Sequence, residues 1–154
     1  MDALEREAER ATELSANMIL GQLRSALVIK GAEVMLSRKQ ELADHEGINP
    51  FELIDHQWRS YKGACSGMLP EQGDWCFRTR TRKETDKIDK GWLIYNPGQP
   101  ITIQGRSANA GEPLAWEVAA EFVDRNGNGL REQTESLTGL KLVPVTLTRD
   151  VDVR

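Results

Sequence analysis

The sequence predicts an α+β protein in which one long N-terminal helix packs on an antiparallel sheet of four or five strands. Three observations lead there. Asp2 to Asp44 contains no proline and is dominated by helix formers. Beyond Tyr61-Lys62-Gly63 the chain turns to β-formers and breakers, with Gly63, Gly67, Pro70 and Gly73 in quick succession. Short runs of alternating apolar and polar residues then follow. The 154 residues suffice for one domain with a sizeable core and exclude two large ones. They divide into a long helix over 1–45, a short helix and loop region over 46–73, and a sheet over 74–154.

The helical segment is apolar on two sides. Leu4, Ala8, Ala11, Leu14 and Met18 form one stripe at helical spacing. Leu20, Leu23, Leu27 and Val34 form a second about half a turn round, while Ile19, Ala26, Ile29 and Leu36 extend the first. A helix with two apolar faces is buried between two partners, here this chain's own sheet and a neighbouring subunit; the central helix of a bundle has the same pattern. Gly21 and Gly31 are the candidate break points, and a single unbroken helix is favoured. Farther on, Asn49 suits an N-cap, Pro50 the first helical position and Glu52 a capping box, which predicts a short helix to about Asp55.

Strands are predicted over Asp74–Thr81, Gly91–Tyr95, Ile101–Gln104, Leu114–Asp124 and Leu140–Thr148. In the fourth, Leu114, Trp116, Val118, Ala120 and Phe122 alternate with Ala115, Glu117, Ala119 and Glu121, the mark of a half-buried strand. Pro144 assigns the last strand to an edge, because proline donates nothing to a ladder. Trp75, Trp92, Tyr95 and Trp116 all fall within predicted strands and are assigned to the core.

Composition narrows the function. Hydrophobic residues at 39% and charged residues at 29% describe a globular chain, and no stretch reaches the roughly 18 unbroken apolar residues of a membrane span. A net charge of -4 argues against a surface that coats nucleic acid. No phosphate loop, nucleophile elbow or paired-histidine metal motif is present, and no enzymatic activity is expected. His45 beside Asp44 and His56 beside Asp55 make no orienting pairs, since adjacent helical side chains diverge. Zinc held by His45, His56, Cys65 and Cys76 is disfavoured because their spacing lacks the short intervals found within ligand pairs.

Three further constellations carry chemistry. Asp124, Asn126 and Asn128, with Gly129 and Glu135, satisfy a calcium-loop pattern of alternating oxygen ligands closed by a bidentate carboxylate. The preceding segment reads as a strand, not a helix, so a tight Asn-Gly turn is the preferred reading over calcium, the one cofactor the pattern admits. Cys65 and Cys76 bracket a turn-rich stretch that one disulfide would close, and a disulfide requires an oxidising compartment. Arg78, Arg80 and Arg82 alternate along a strand and would project to one face, as a row tracking nucleic-acid phosphates does. Glu84, Asp86 and Asp89 follow at once, and a solvated hairpin loop is preferred.

The assembled phrases carry a resemblance. Leu23-Arg24-Ser25-Ala26-Leu27 lies on the long helix, Asn49-Pro50-Phe51-Glu52-Leu53 precedes Ser60-Tyr61-Lys62-Gly63, and Gly73-Asp74-Trp75 and Gly91-Trp92-Leu93-Ile94-Tyr95 follow. With Phe122-Val123-Asp124-Arg125-Asn126-Gly127-Asn128-Gly129, the chain resembles type IV pilin-like proteins, in particular minor pilins of the mannose-sensitive haemagglutinin (MSHA) pilus system. The last phrase is also similar to a turn of type II secretion pseudopilins. The resemblance implies a periplasmic or cell-surface subunit of a filament used in attachment. Other pilin or pseudopilin subunits are then its partners, and it reaches the inner membrane through an apolar segment upstream of Asp2. It implies assembly without chemistry; the alternative it leaves is a DNA-binding minor pilin using Arg78, Arg80 and Arg82.

The turn reading of Asp124 to Glu135 predicts the same melting temperature with millimolar calcium as with chelator. A calcium-dependent rise that Glu135→Gln abolishes would make the loop a metal site instead.

Overall fold

In the computed structural model, which describes residues 3–67, 69–80, 90–123, 127 and 136–147, helix α1 runs unbroken over Ala3–Leu36. It passes both candidate break points and stops short of the expected Asp44. The stop has a local cause. The Ser37 amide is shared between the carbonyls of Glu33 and Val34, each at 3.1 Å, a tightened terminal turn. The Ser37 hydroxyl then accepts from the Lys39 amide at 3.2 Å, giving the backbone a turn in place of another helical bond. Leu42–His45 forms a separate 3-10 turn.

The second 3-10 turn, Pro50–Leu53, replaces the short α-helix expected to Asp55. Its cap is as expected: the Asn49 side chain accepts from the Phe51 amide at 3.1 Å. The Asn49 amide nitrogen donates to the Tyr61 hydroxyl at 2.7 Å, and Phe51 stacks on the Tyr61 ring at 3.9 Å between centroids. These tertiary contacts hold the turn where a longer helix would have drawn Asn49 and Phe51 away. No Glu52 bond back to the Asn49 amide completes a capping box among the described residues.

Among the described residues seven strands follow: β1 Tyr61–Ala64, β2 Trp75–Thr79, β3 Gly91–Tyr95, β4 Ile101–Ile103, β5 Arg106–Ala108, β6 Leu114–Phe122 and β7 Leu137–Val145. Five form one sheet in the order β1-β2-β3-β6-β7. The sheet is mostly antiparallel, with one correction to expectation: β1 runs parallel to β2. The four-residue Tyr61–Ala64 strand is interrupted by Gly63 at φ 78°, so its sequence reads as a turn, and pairing with β2 supplies what propensity does not. The strand expected at Ile101–Gln104 lies outside the main sheet, paired with β5 in a two-stranded hairpin. Gln104 at φ 51° and Gly105 at φ 81° turn that hairpin, the left-handed pair a tight β-turn requires.

The core lies between α1 and one face of the sheet. Ala16, Ile19, Leu20, Leu23, Leu27 and Val34 are buried against a layer that includes Trp75, Leu93, Tyr95, Trp116, Leu140 and Leu142. Ile19 therefore belongs with the packed stripe, not with the opposite face to which spacing assigned it. Trp75 stacks on Trp116 at 5.6 Å and lies against Tyr95 at 4.4 Å, forming the aromatic floor beneath the helix. Trp92 is the exception among the four aromatics: it is half-buried, and its indole N–H donates to Glu117 at 3.1 Å.

Polar contacts fix the helix on this layer. Asn17 donates to the Thr102 carbonyl at 3.2 Å and accepts from the Gln104 amide at 3.2 Å, while Glu13 accepts from the Thr102 amide at 3.1 Å. Arg24 donates to the Leu142 carbonyl at 3.3 Å, covering part of the edge strand β7, where Pro144 sits as expected. At Gly31 the helix backbone meets β7 so closely that a Cβ would lie 3.1 Å from the Leu140 nitrogen and 3.3 Å from the Gly139 Cα. At Gly21 a Cβ would have no neighbour within 4 Å.

The two mid-helix glycines are thus expected to respond oppositely to alanine. Gly21→Ala should raise stability by about 0.5–1 kcal/mol, since it gains helix propensity and meets nothing. Gly31→Ala should gain less or lose stability, because the new methyl presses on β7. Urea unfolding of both variants measures the difference, and equal shifts would contradict the packing at Gly31.

Candidate assembly surface

The sheet covers one side of α1 and leaves the other uncovered. Leu14 is 71% exposed, Ile29 61% and Leu36 87%, and Leu4, Met18, Val28 and Met35 are exposed beside them. Ala8 and Ala11 are exposed on the same face. The first stripe read from the sequence, without Ile19, is therefore an open apolar face opposite the core. A helix of 34 residues carries it over about 51 Å at 1.5 Å per residue. Hydrophobic side chains scattered singly on a surface are ordinary, but a continuous stripe on a rigid element marks a contact surface. No described helix is long and apolar enough to cross a membrane.

Beside this face, small side chains at Ala11, Thr12, Ser15 and Ala16 pass over Trp75 and Tyr95 and leave a groove of about 250 Å³. Burial pushes the Tyr95 phenol up from its ordinary pKa, and the nearby Asp74 adds to the rise. Burial likewise raises Tyr61, against the lowering effect of its bond from Asn49. On Arg106 burial lowers the pKa. Its guanidinium donates to the carbonyls of Ala115 at 3.0 Å and Val145 at 3.3 Å and lies 5.3 Å from the Trp116 ring centroid. These residues serve the fold: Arg106 ties the small hairpin to both long strands.

The cysteines pair as expected. Cys65 and Cys76 form a disulfide with Cα atoms 5.0 Å apart, and the Cys65 amide donates to the Phe77 carbonyl at 3.0 Å. The bond fastens the end of edge strand β1 to β2. It also completes a small second core of Cys76, Ile94 and Ala115, with Cys65, Val145 and Leu147 packed against it. With both sulfurs bonded to each other, no thiolate remains for zinc. The histidines serve separate turns: His45 Nδ1 lies 3.0 Å from the Glu41 carbonyl, and His56 meets the edge of Trp58 at 4.8 Å.

The other predicted sites fall partly or wholly outside the described residues. Asp124, Asn126, Asn128 and Glu135 all lie outside them, and β6 and β7 on either side are antiparallel strands, not the helices of an EF-hand. Among the described residues no three His, Cys, Asp or Glu side chains gather as metal ligands. Arg78 is half-buried opposite Trp92 in the β2–β3 register, Arg80 follows the end of β2, and Arg82 lies outside the described residues. The sequence did not single out the hydrogen-bonded clamp of Glu13, Asn17 and Thr102; two polar residues four apart at the helix margin were its only signal.

Comparison with profiles of known families, with curated proteins and with solved structures gives no match in any of the three. The fold class defined here is α+β, one N-terminal helix on a mostly antiparallel five-stranded sheet, an arrangement compatible with pilin-like folds.

Removing the disulfide by paired Cys65→Ala and Cys76→Ala changes should lower unfolding free energy by about 3 kcal/mol, the chain-entropy value for a loop of this length. Denaturant melts of oxidised, reduced and doubly substituted chain measure it. Coincident curves would mean that β1 is held without the bond.

Proposed function

We propose that this chain is a non-enzymatic structural subunit or assembly factor of a pilin-like filament used in surface attachment, with other pilin-like subunits as its partners. One observation carries the reading: a single helix packs one face on its own sheet and presents a second, apolar face along its length. A filament subunit needs such a two-sided element, since one surface holds its fold and the other meets its neighbours. The disulfide supports an oxidising compartment, hence a periplasmic domain carried at the inner membrane by a segment upstream of Asp2 before assembly. The resemblance of the sequence phrases to MSHA-type minor pilins points the same way. The nucleic-acid reading gains little from Arg78, which is half-buried and lies across the sheet from a tryptophan whose indole is bonded to Glu117.

The test is a Leu14→Glu, Met18→Glu double variant in the full-length protein of its native host. Both positions are exposed, so the fold should persist, checked by circular dichroism and an unchanged melting temperature. Surface filaments and attachment should be lost or fall at least tenfold. Normal filament numbers from a folded, normally abundant variant would overturn the proposal.

A further inference from the structure

The exposed face of α1 has a seven-residue period. Leu4, Ala11, Met18, Ser25 and Ala32 recur every seventh residue, and Leu14, Gly21, Val28 and Met35 recur at the intermediate step. Alternating steps of three and four keep such residues in one seam, the pattern of a helix that packs along another helix. Side-chain size along the seam then selects the partner's direction. A parallel partner in register would set Met18 against Met18 and Gly21 against Gly21, large on large and empty on empty. An antiparallel partner centred near Leu20 sets Met18 against Gly21, Ala11 against Val28 and Leu14 against Ser25. These three contacts each set a large side chain against a small one, as close packing favours, and the end pair of the seam sets Leu4 against Met35.

Charge favours the same direction. Within α1, residues 3–13 carry four acids and two bases, whereas residues 24–36 carry two bases and one acid. Antiparallel pairing lays the acidic end along the basic end twice, while parallel pairing in register sets like on like. Gly21 adds a third indication. A mid-helix glycine weakens a helix, and here no neighbour within the chain requires it, since a Cβ would have nothing within 4 Å. A close approach from outside the chain, by Met18 of another copy, gives the missing side chain a reason.

We propose that, before assembly, α1 pairs with α1 of a second copy of this chain, the two helices antiparallel across this seam. The inference rests on reading the exposed face as a subunit contact and names its first occupant. A seam about 51 Å long and roughly 10 Å wide buries roughly 500 Å² per copy, near the lower bound for a specific interface. The pair is therefore weak and concentration-dependent, with a Kd in the micromolar range of order.

Sedimentation velocity of the oxidised chain over a range of concentrations should show a monomer–dimer equilibrium. Both native cysteines are bonded, so an introduced cysteine is the sole free thiol. Ala11→Cys mixed with Val28→Cys should cross-link on mild oxidation, and Ala11→Cys alone should not. Gly21→Leu should raise the dimer Kd at least tenfold while the monomer melts no lower, since the site is open within the chain. A monomer at all concentrations up to hundreds of micromolar, self-cross-linking of Ala11→Cys, or full dimerisation of Gly21→Leu would each overturn the antiparallel pair. Filament loss in Leu14→Glu, Met18→Glu alongside a purely monomeric chain would sink this inference and leave the proposed function standing. An antiparallel dimer from a chain whose filaments survive that double variant would do the reverse.

Discussion

Everything else in this fold depends on the packing of α1 across the aromatic floor of Trp75, Tyr95 and Trp116. The three rings are nearly devoid of solvent contact and come from β2, β3 and β6, the three middle strands of the sheet. Ile19, Leu20, Leu23 and Leu27 close over this layer from the helix. Burying a large aliphatic side chain contributes about 1.5–3 kcal/mol relative to leaving it exposed, so this one layer is the main source of stability. Most of a helix's stability in a folded protein comes from packing an amphipathic face, and here the sheet supplies that packing.

From that layer outward each element acts as a fastening. The β4–β5 hairpin, set apart from the main sheet, grips the helix through Asn17 and Glu13 and is itself tied to the long strands by Arg106. Arg24 and the close approach at Gly31 draw α1 over the β7 edge, which leaves that strand a poor template for edge-to-edge pairing. The opposite edge, β1, is short, carries a left-handed glycine and is held by the disulfide. With β7 partly covered and β1 short, the surface best formed to meet another protein is a helix face.

Periodicity made the helix, its two apolar faces and four of the five strands of the main sheet legible, because apolar spacing reports which side of an element is buried. Pro144 marked an edge strand for a backbone reason that tertiary context cannot override. The failures share a different cause. Tyr61–Ala64 is a strand only because β2 lies beside it, and Arg106–Ala108 only because a left-handed Gln104-Gly105 turn folds it onto β4. Ile19 was misassigned because it lies near the boundary between the two faces, where a step of one residue decides the side and the tilt of the helix on the sheet settles it. Of the candidate sites, the disulfide was legible as a pairing of the only two cysteines, and the apolar face as a stripe. The clamp between helix and hairpin was not, since it joins residues 85 and 89 positions apart in the chain.

On the proposed function an apolar face of this length is a hazard, because the subunit would exist before it is assembled. Free energy gained by covering the face is available to any helix that presents a complementary seam, and a second copy is the partner always present at the chain's own concentration. An antiparallel pair is closed: two copies satisfy each other's acidic and basic ends, and no further copy can add through the same seam. A filament requires the opposite, an open contact that repeats. In the proposed subunit the two arrangements would compete for the same residues, so weak pairing would be the requirement. It would have to be strong enough to shield Leu14, Met18 and Val28 in the free subunit and weak enough to dissociate when a growing assembly offers a larger surface. Small residues at Gly21, Ser25 and Ala32 would set that balance in the proposed pair, since they allow close approach while contributing little apolar area of their own.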